Sequence, residues 1–101
     1  MERIWRYELA AFDPSSVIMP EGARILSVGE QDGRLCVWAR VEPGARLVQR
    51  WLRVTGTGWE CDVPAEARFI GTVQMRSGMV YHVFECGGPP SLEEDECSDP
   101  E

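Results

Sequence analysis

ARILSVGEQDGRLCVWARVE, residues 23–42, decides the fold: two runs rich in branched and apolar residues meet at Asp32-Gly33, a dipeptide that tolerates the positive φ of a two-residue type I′ turn. With Gln31 and Arg34 flanking the turn, Val28 falls opposite Val37 and Leu26 opposite Ala39. Side chains alternate along a strand. One face therefore carries Leu26, Val28, Leu35, Val37 and Ala39, and the other Ile25, Ser27, Cys36, Trp38 and Arg40. A core face is backed by a half-polar one, and nothing in the hairpin is catalytic.

Working outward, residues 3–9 (RIWRYEL) set Trp5, Tyr7 and Leu9 on one face against Ile4, Arg6 and Glu8, and the aromatic face is expected to look inward. Asp13-Pro14 interrupts the chain, and the extended run 16–19 closes on the turn signal Pro20-Glu21-Gly22. Pro43-Gly44 ends the second arm of the hairpin. In residues 46–55 (RLVQRWLRVT), Val48, Arg50, Leu52 and Val54 alternate with Leu47, Gln49, Trp51 and Arg53. The spacing allows a helix, but β-branched and aromatic content between Pro-Gly and Gly-Thr-Gly favours a strand. Both faces are mixed, so which one is inward stays open.

Residues 55–67 are the least regular part of the body, and Pro64-Ala65-Glu66-Ala67 is expected to form a single helical turn with Pro at its start. A second hairpin joins 69–75 to 79–85 through Arg76-Ser77-Gly78, with glycine at the left-handed position. Pairing Met75 with Met79 sets Val73 opposite Tyr81 and Gly71 opposite Val83. On the other face it sets Ile70 opposite Phe84, Thr72 opposite His82 and Gln74 opposite Val80. Short strands with regular turn signals predict an all-β fold, a small antiparallel sandwich or partly open barrel of six to seven strands with at most one helical turn. Edge strands are hard to cover in so small a fold, so a homo-oligomer is one expected state.

A chain of 101 residues holds one domain with a modest core, burying roughly 60–65% of its unfolded surface. That domain is expected over 1–86, followed by an acidic, Pro/Gly-rich flexible tail over 87–101 (GGPPSLEEDECSDPE). The net charge of −7 is concentrated there: six acids and no base stand in the tail, whereas the body sets eleven acids against ten arginines. The tail cannot bury enough apolar area to order itself. Such tails most often keep a protein soluble, and this one repels nucleic acid, which argues against direct nucleic-acid binding. No apolar run of about 18 residues is present, so no membrane span is expected. MERIWRYEL does not resemble a secretory signal, and a cytoplasmic location follows as the expectation.

Candidate chemistry is sparse. Cys36, Cys61, Cys86 and Cys97 form no CxxC pair and have no histidine at a ligand spacing, which supports neither a zinc site nor a disulfide framework. Cys36 reads as a small buried hydrophobe, and Cys97 as an exposed thiol. Gly56-Thr57-Gly58 can cradle a phosphate in principle. It lacks the Lys and Ser/Thr of a P-loop, however, and reads better as a tight turn. His82 is the one histidine. A general base needs a partner, and spacing brings it Thr72 but neither Cys61 nor Cys86 as a nucleophile. No catalytic, metal or cofactor-binding set emerges, so a non-enzymatic protein is expected.

The tryptophans and arginines carry more. All ten basic residues are arginine, with no lysine, a trace of GC-rich coding first and of anion chemistry second. Four tryptophans exceed what a core of this size needs, and Trp and Arg are enriched at interface hot spots. Trp38, Arg40, Trp51, Arg53 and Trp59 are the expected binding residues, together forming one surface that engages a partner, holds an anion or stacks a base.

The blocks WRYEL (5–9), PEGARILSV (20–28), LCVWARV (35–41), GTG (56–58), FIGTVQM (69–75) and YHVFE (81–85) resemble a family of small uncharacterised bacteriophage and prophage proteins. The resemblance covers about residues 3–85 and leaves out the tail. It implies a phage-encoded protein in the host cytoplasm, and no catalytic residue is carried over. The leading expectation is a phage accessory protein that binds and inhibits a host protein, with immunity effectors favoured. The alternative is a homo-oligomeric sponge that sequesters a nucleotide or other anionic signal in pockets lined by arginine and tryptophan.

Overall fold

The computed structural model describes residues 1–9 and 15–88. The expected break at Asp13-Pro14, Cys97 and the expected flexibility of the tail beyond Gly88 lie outside the described residues. Seven strands run in the order β1 (Arg3–Glu8), β2 (Ser15–Pro20), β3 (Arg24–Gln31), β4 (Arg34–Val41), β5 (Leu47–Gly56), β6 (Arg68–Gln74) and β7 (Val80–Cys86). They form a three-stranded sheet, β1-β4-β3, and a four-stranded sheet, β2-β5-β7-β6, with every pairing antiparallel. The sheets stay unclosed, but β3 and β6 approach until Val28 Cγ1 lies 2.8 Å from where a Cβ on Gly71 would stand. The all-β expectation holds. Among the described residues no helix is long and apolar enough to cross a membrane.

The first hairpin turns as its sequence dictates, with Asp32 and Gly33 at φ 54° and 79° and with Gln31 opposite Arg34 and Val28 opposite Val37. Beyond Ser27 the register slips. A bulge between Ile25 and Ser27 puts Ile25, not Leu26, opposite Ala39. The extra residue of a bulge reverses which side chains look inward, so Ile25 is buried and Leu26 is 46% exposed. The second hairpin repeats the pattern. The Met75 N–H donates to Met79 O at 2.7 Å, and Val73–Tyr81, Gly71–Val83, Thr72–His82 and Gln74–Val80 pair as read. A second bulge then sets Phe69, not Ile70, opposite Phe84, and Ile70 packs on the core. Two smaller expectations are also corrected. Ala67 N–H bonds Pro64 O in a reverse turn, not a helical one. Tyr7 and Leu9 pack on the core, but Trp5, on the edge strand β1, remains 39% exposed.

The core lies between the sheets. Leu35, Val37, Ala39 and Val41 of β4 face Val17 and Met19 of β2, Leu52 of β5, and Tyr81 and Val83 of β7. Leu52 is fully buried, which settles that Val48, Arg50, Leu52 and Val54 are the inward set of β5. Arg50 is the exception in chemistry. Its Nε and Nη2 donate to the two carboxylate oxygens of Glu85 at 2.5 and 3.1 Å, and its Nη1 donates to Ala23 O at 2.9 Å. Ala23 leads into β3, so this charged fork ties the two sheets together.

Two groups lend themselves to direct tests. Cys36 is fully buried, its thiol donating to Arg34 O at 3.6 Å, and burial pushes its pKa up. Because the thiolate is the reactive form, alkylation of the folded protein at about pH 8 is expected to label exposed Cys61 long before Cys36. Peptide mass spectrometry reads this directly, and equal rates would contradict it. The Tyr7 hydroxyl is buried without a hydrogen-bond partner among the described residues, and burial raises its pKa. Tyr7→Phe removes an unsatisfied group and is expected to leave Tm unchanged or raise it by the equivalent of about 1 kcal/mol; a clear loss in a melting curve would contradict this.

Candidate functional site

The register of the four-stranded sheet builds its outer face from cross-strand rows. Ser16, Trp51 and Cys86 form one, Arg53, Phe84 and Phe69 the next, and Thr55, His82 and Thr72 the third. The Phe69 and Phe84 rings lie 5.3 Å apart, tilted by 59°, a favourable aromatic geometry. Phe69 is 55% exposed, and Ile18 of β2, on the same face, is 52% exposed. Arg53 Nη2 donates to Asp62 Oδ1 at 2.7 Å, and only 12% of the arginine side chain meets solvent. The result is an apolar and aromatic strip with its one arginine already bonded to a carboxylate.

His82 sits in the third row, held at both nitrogens. Nε2 is 2.7 Å from Thr57 Oγ1, and Nδ1 is 2.9 Å from Thr72 Oγ1. The Thr72 contact is the one the hairpin pairing predicts. A neutral imidazole satisfies both threonines by donating at one nitrogen and accepting at the other. Cys86 lies four residues further along the strand, roughly 13 Å away at the usual rise. That is too far for a nucleophile–base pair.

The loop at 56–58 is a turn. Trp59 N–H donates to Gly56 O and Thr57 N–H to Val80 O, both at 3.0 Å, and Gly58 has φ 90°, as the third residue of a type II turn requires. The N–H groups of Thr57 and Trp59 are thus committed internally, as a tight turn requires. Trp59 folds back over Gly56, where an added Cβ would lie 2.6 Å from indole Cε2. The indole also meets Tyr81 edge-on at 5.9 Å. Packed in this way at the end of the sandwich, Trp59 remains 39% exposed.

Trp38 and Arg40 stand elsewhere. They alternate with the buried Val37, Ala39 and Val41, and so face outward from the three-stranded sheet. Trp38 lies against Gly29, where an added Cβ would be 3.5 Å from the ring. Charged groups around it are paired: Arg40 with Glu2 at 2.6 Å, Arg34 with Glu8 at 2.9 Å, and Arg6 with Gln31 at 2.8 Å. The expected single surface is therefore corrected. Trp51 and Arg53 share one outer face, Trp38 and Arg40 share the opposite one, and Trp59 belongs to neither. The reason is topological, because β4 and β5 belong to different sheets whose inner faces meet. Sequence reasoning missed Phe69, Phe84 and Ile18. Phe69 was hidden by the bulge at Ile70, while Ile18, between buried Val17 and Met19, is legible from alternation alone.

Among the described residues no group of three or more side chains of metal-binding type lies close enough to hold an ion. A family model described as a domain of unknown function, DUF7352, matches residues 1–91. No curated protein and no solved structure matches.

Proposed function

We propose, for a chain that belongs to the DUF7352 family, the role of a non-enzymatic binding protein whose contact face is the outer face of the four-stranded sheet. The observation that carries this reading is the strip in which Phe69 and Ile18, 55% and 52% exposed, flank the half-buried Trp51, Arg53 and Phe84. Large apolar groups gathered on one face are a common mark of an interaction site, and Trp and Arg are the residue types that anchor one. The resemblance of the sequence blocks to phage proteins supplies the context: a phage-encoded protein acting in the host cytoplasm on a host protein, with an antiviral immunity effector the favoured class. Tagged full-length chain, purified from an infected host, is expected to retain a host protein at stoichiometric level. Recovery of the chain alone would end this reading.

The sponge alternative draws its support from the same arginines and tryptophans. Their division between two faces leaves it without a common pocket. Native mass spectrometry separates the two readings. Chain without small ligand is expected here, whereas a defined oligomer carrying a bound small anion would replace the first reading with the second.

A further inference from the structure

Each sheet of the sandwich has one edge that no other described strand covers. β3 and β6 lie against each other, Val28 beside Gly71, so the open edges are β1 and β2. Open edges are usually guarded by charged side chains or proline. Directly opposite residues of an antiparallel pair alternate between exchanging two backbone hydrogen bonds and exchanging none, which fixes the groups each edge presents. Leu9 N–H donates to Leu35 O at 2.8 Å. Counting back by two, Tyr7, Trp5 and Arg3 bond to β4, and Ile4, Arg6 and Glu8 turn their N–H and C=O groups outward. Two of these three residues are charged, so β1 is guarded.

The other edge is not. Glu21 N–H donates to Arg46 O at 2.7 Å, so Met19 and Val17 exchange bonds with Val48 and Arg50, and Ser16, Ile18 and Pro20 point outward. Pro20 has no N–H, as suits an outward position on an edge strand, and its C=O already accepts from Ala23 N–H at 3.1 Å. Ser16 and Ile18 are left to present their N–H and C=O groups to the edge, and both side chains are exposed. No residue from Ser15 to Pro20 is charged.

These groups complement themselves. Two copies of β2 related by a two-fold axis perpendicular to the sheet run antiparallel. With Ser16 of one opposite Ile18 of the other, each such pair exchanges both of its bonds, and no backbone group of Ser16 or Ile18 is left over. With Ile18 opposite Ile18, Ser16 would instead face Pro20, which has neither a donor nor a free carbonyl to return. The first register also sets Val17 opposite Val17 on the inner side, where little of the side chain meets solvent already. We propose that the chain pairs with a second copy of itself through β2, Ser16 opposite Ile18, joining two four-stranded sheets into one. The far edge of each sheet, β6, lies against β3, so the symmetry closes at two copies. The apolar strips of the two outer faces then continue across the join.

The interface is smaller than the roughly 1,000 Å² of a stable pair, so the dimer is reversible. Sedimentation of the full chain at about 0.15 M salt, from micromolar concentration to about 1 mM, is expected to pass from the 11.4 kDa chain to twice that mass and no further. Over the same range amide exchange at Ser16 and Ile18 should slow, while Ile4, Arg6 and Glu8 of β1 stay unchanged. Ser16→Pro removes an outward N–H without touching the bonds to β5, and Ser16→Lys adds a like charge to both copies at the join. Each is expected to weaken the dimer by at least about tenfold; if the proline variant melts early, the lysine variant carries the comparison. A monomer throughout, slowed exchange at β1 in place of β2, growth beyond two copies, or undiminished pairing in the folded variants would overturn the proposal. The readout uses the chain alone and does not depend on a host partner.

Discussion

Arg50→Ala is expected to cost about 3–5 kcal/mol of stability, because it strands the Glu85 carboxylate where little water reaches it. The side chains of the pair are only 20% and 14% exposed, and the guanidinium satisfies three acceptors, two on Glu85 and one on Ala23. Removing it leaves a charge and a carbonyl without their donors, and it cuts the one polar tie described between β5, β7 and the start of β3. In a domain of this size each kcal/mol corresponds to about 4–8 °C in Tm, so the variant is expected to melt far below the parent, toward the smaller end of the range to the extent that water enters. Arg50→Met combined with Glu85→Leu should recover most of the loss, since apolar residues of similar volume commonly replace a buried ion pair at no net cost. Thermal melts of the three proteins decide it. A loss under about 1 kcal/mol for Arg50→Ala, the range of exposed pairs, would show that the fork contributes little.

Gly56→Ala should destabilise by about 1–3 kcal/mol, the usual penalty of overpacking, and the cause is a single ring. The added methyl would sit 2.6, 2.8 and 3.0 Å from three indole carbons of Trp59, so the ring must leave its contact with Tyr81. Backbone strain is not the reason, because Gly56 is not among the glycines with positive φ. The two positions are therefore expected to couple: Gly56→Ala should cost clearly less in a Trp59→Ala background than alone, a difference a double-mutant cycle measures. Additive costs would mean that the indole does not depend on the bare glycine. The same contact holds Trp59 at the end of the sandwich, away from the cross-strand rows of Trp51, Arg53 and Phe84.

Much of the fold was legible because turn chemistry and alternation act locally. Asp32-Gly33 and Arg76-Ser77-Gly78 set both hairpins, and each register held from the turn until its bulge. The bulges at Leu26 and Ile70 were not legible, because a bulge is a mismatch between two strands and leaves no periodic trace in either one. Each reversed the side of a large apolar residue, Leu26 outward and Phe69 outward. The inward face of β5 was hidden by Arg50, which reads as a solvent residue until Glu85, thirty-five residues away, supplies its partner. The candidate site suffered from the same limit at longer range. Composition finds tryptophans and arginines, but only topology assigns Trp38 and Trp51 to opposite faces.

The two outer faces carry matched exposed apolar pairs, Ile18 and Phe69 on the four-stranded sheet and Ile4 and Leu26 on the three-stranded one. The most direct measurement is therefore quantitative capture of the proposed host partner by I18D/F69D and by I4D/L26D, each confirmed to melt near the parent. The I18D/F69D protein is expected to lose the partner by at least about 30-fold, the effect of removing a hot spot worth 2 kcal/mol, while I4D/L26D retains it. Retention by I18D/F69D, or loss by I4D/L26D alone, would contradict the assignment of the binding face.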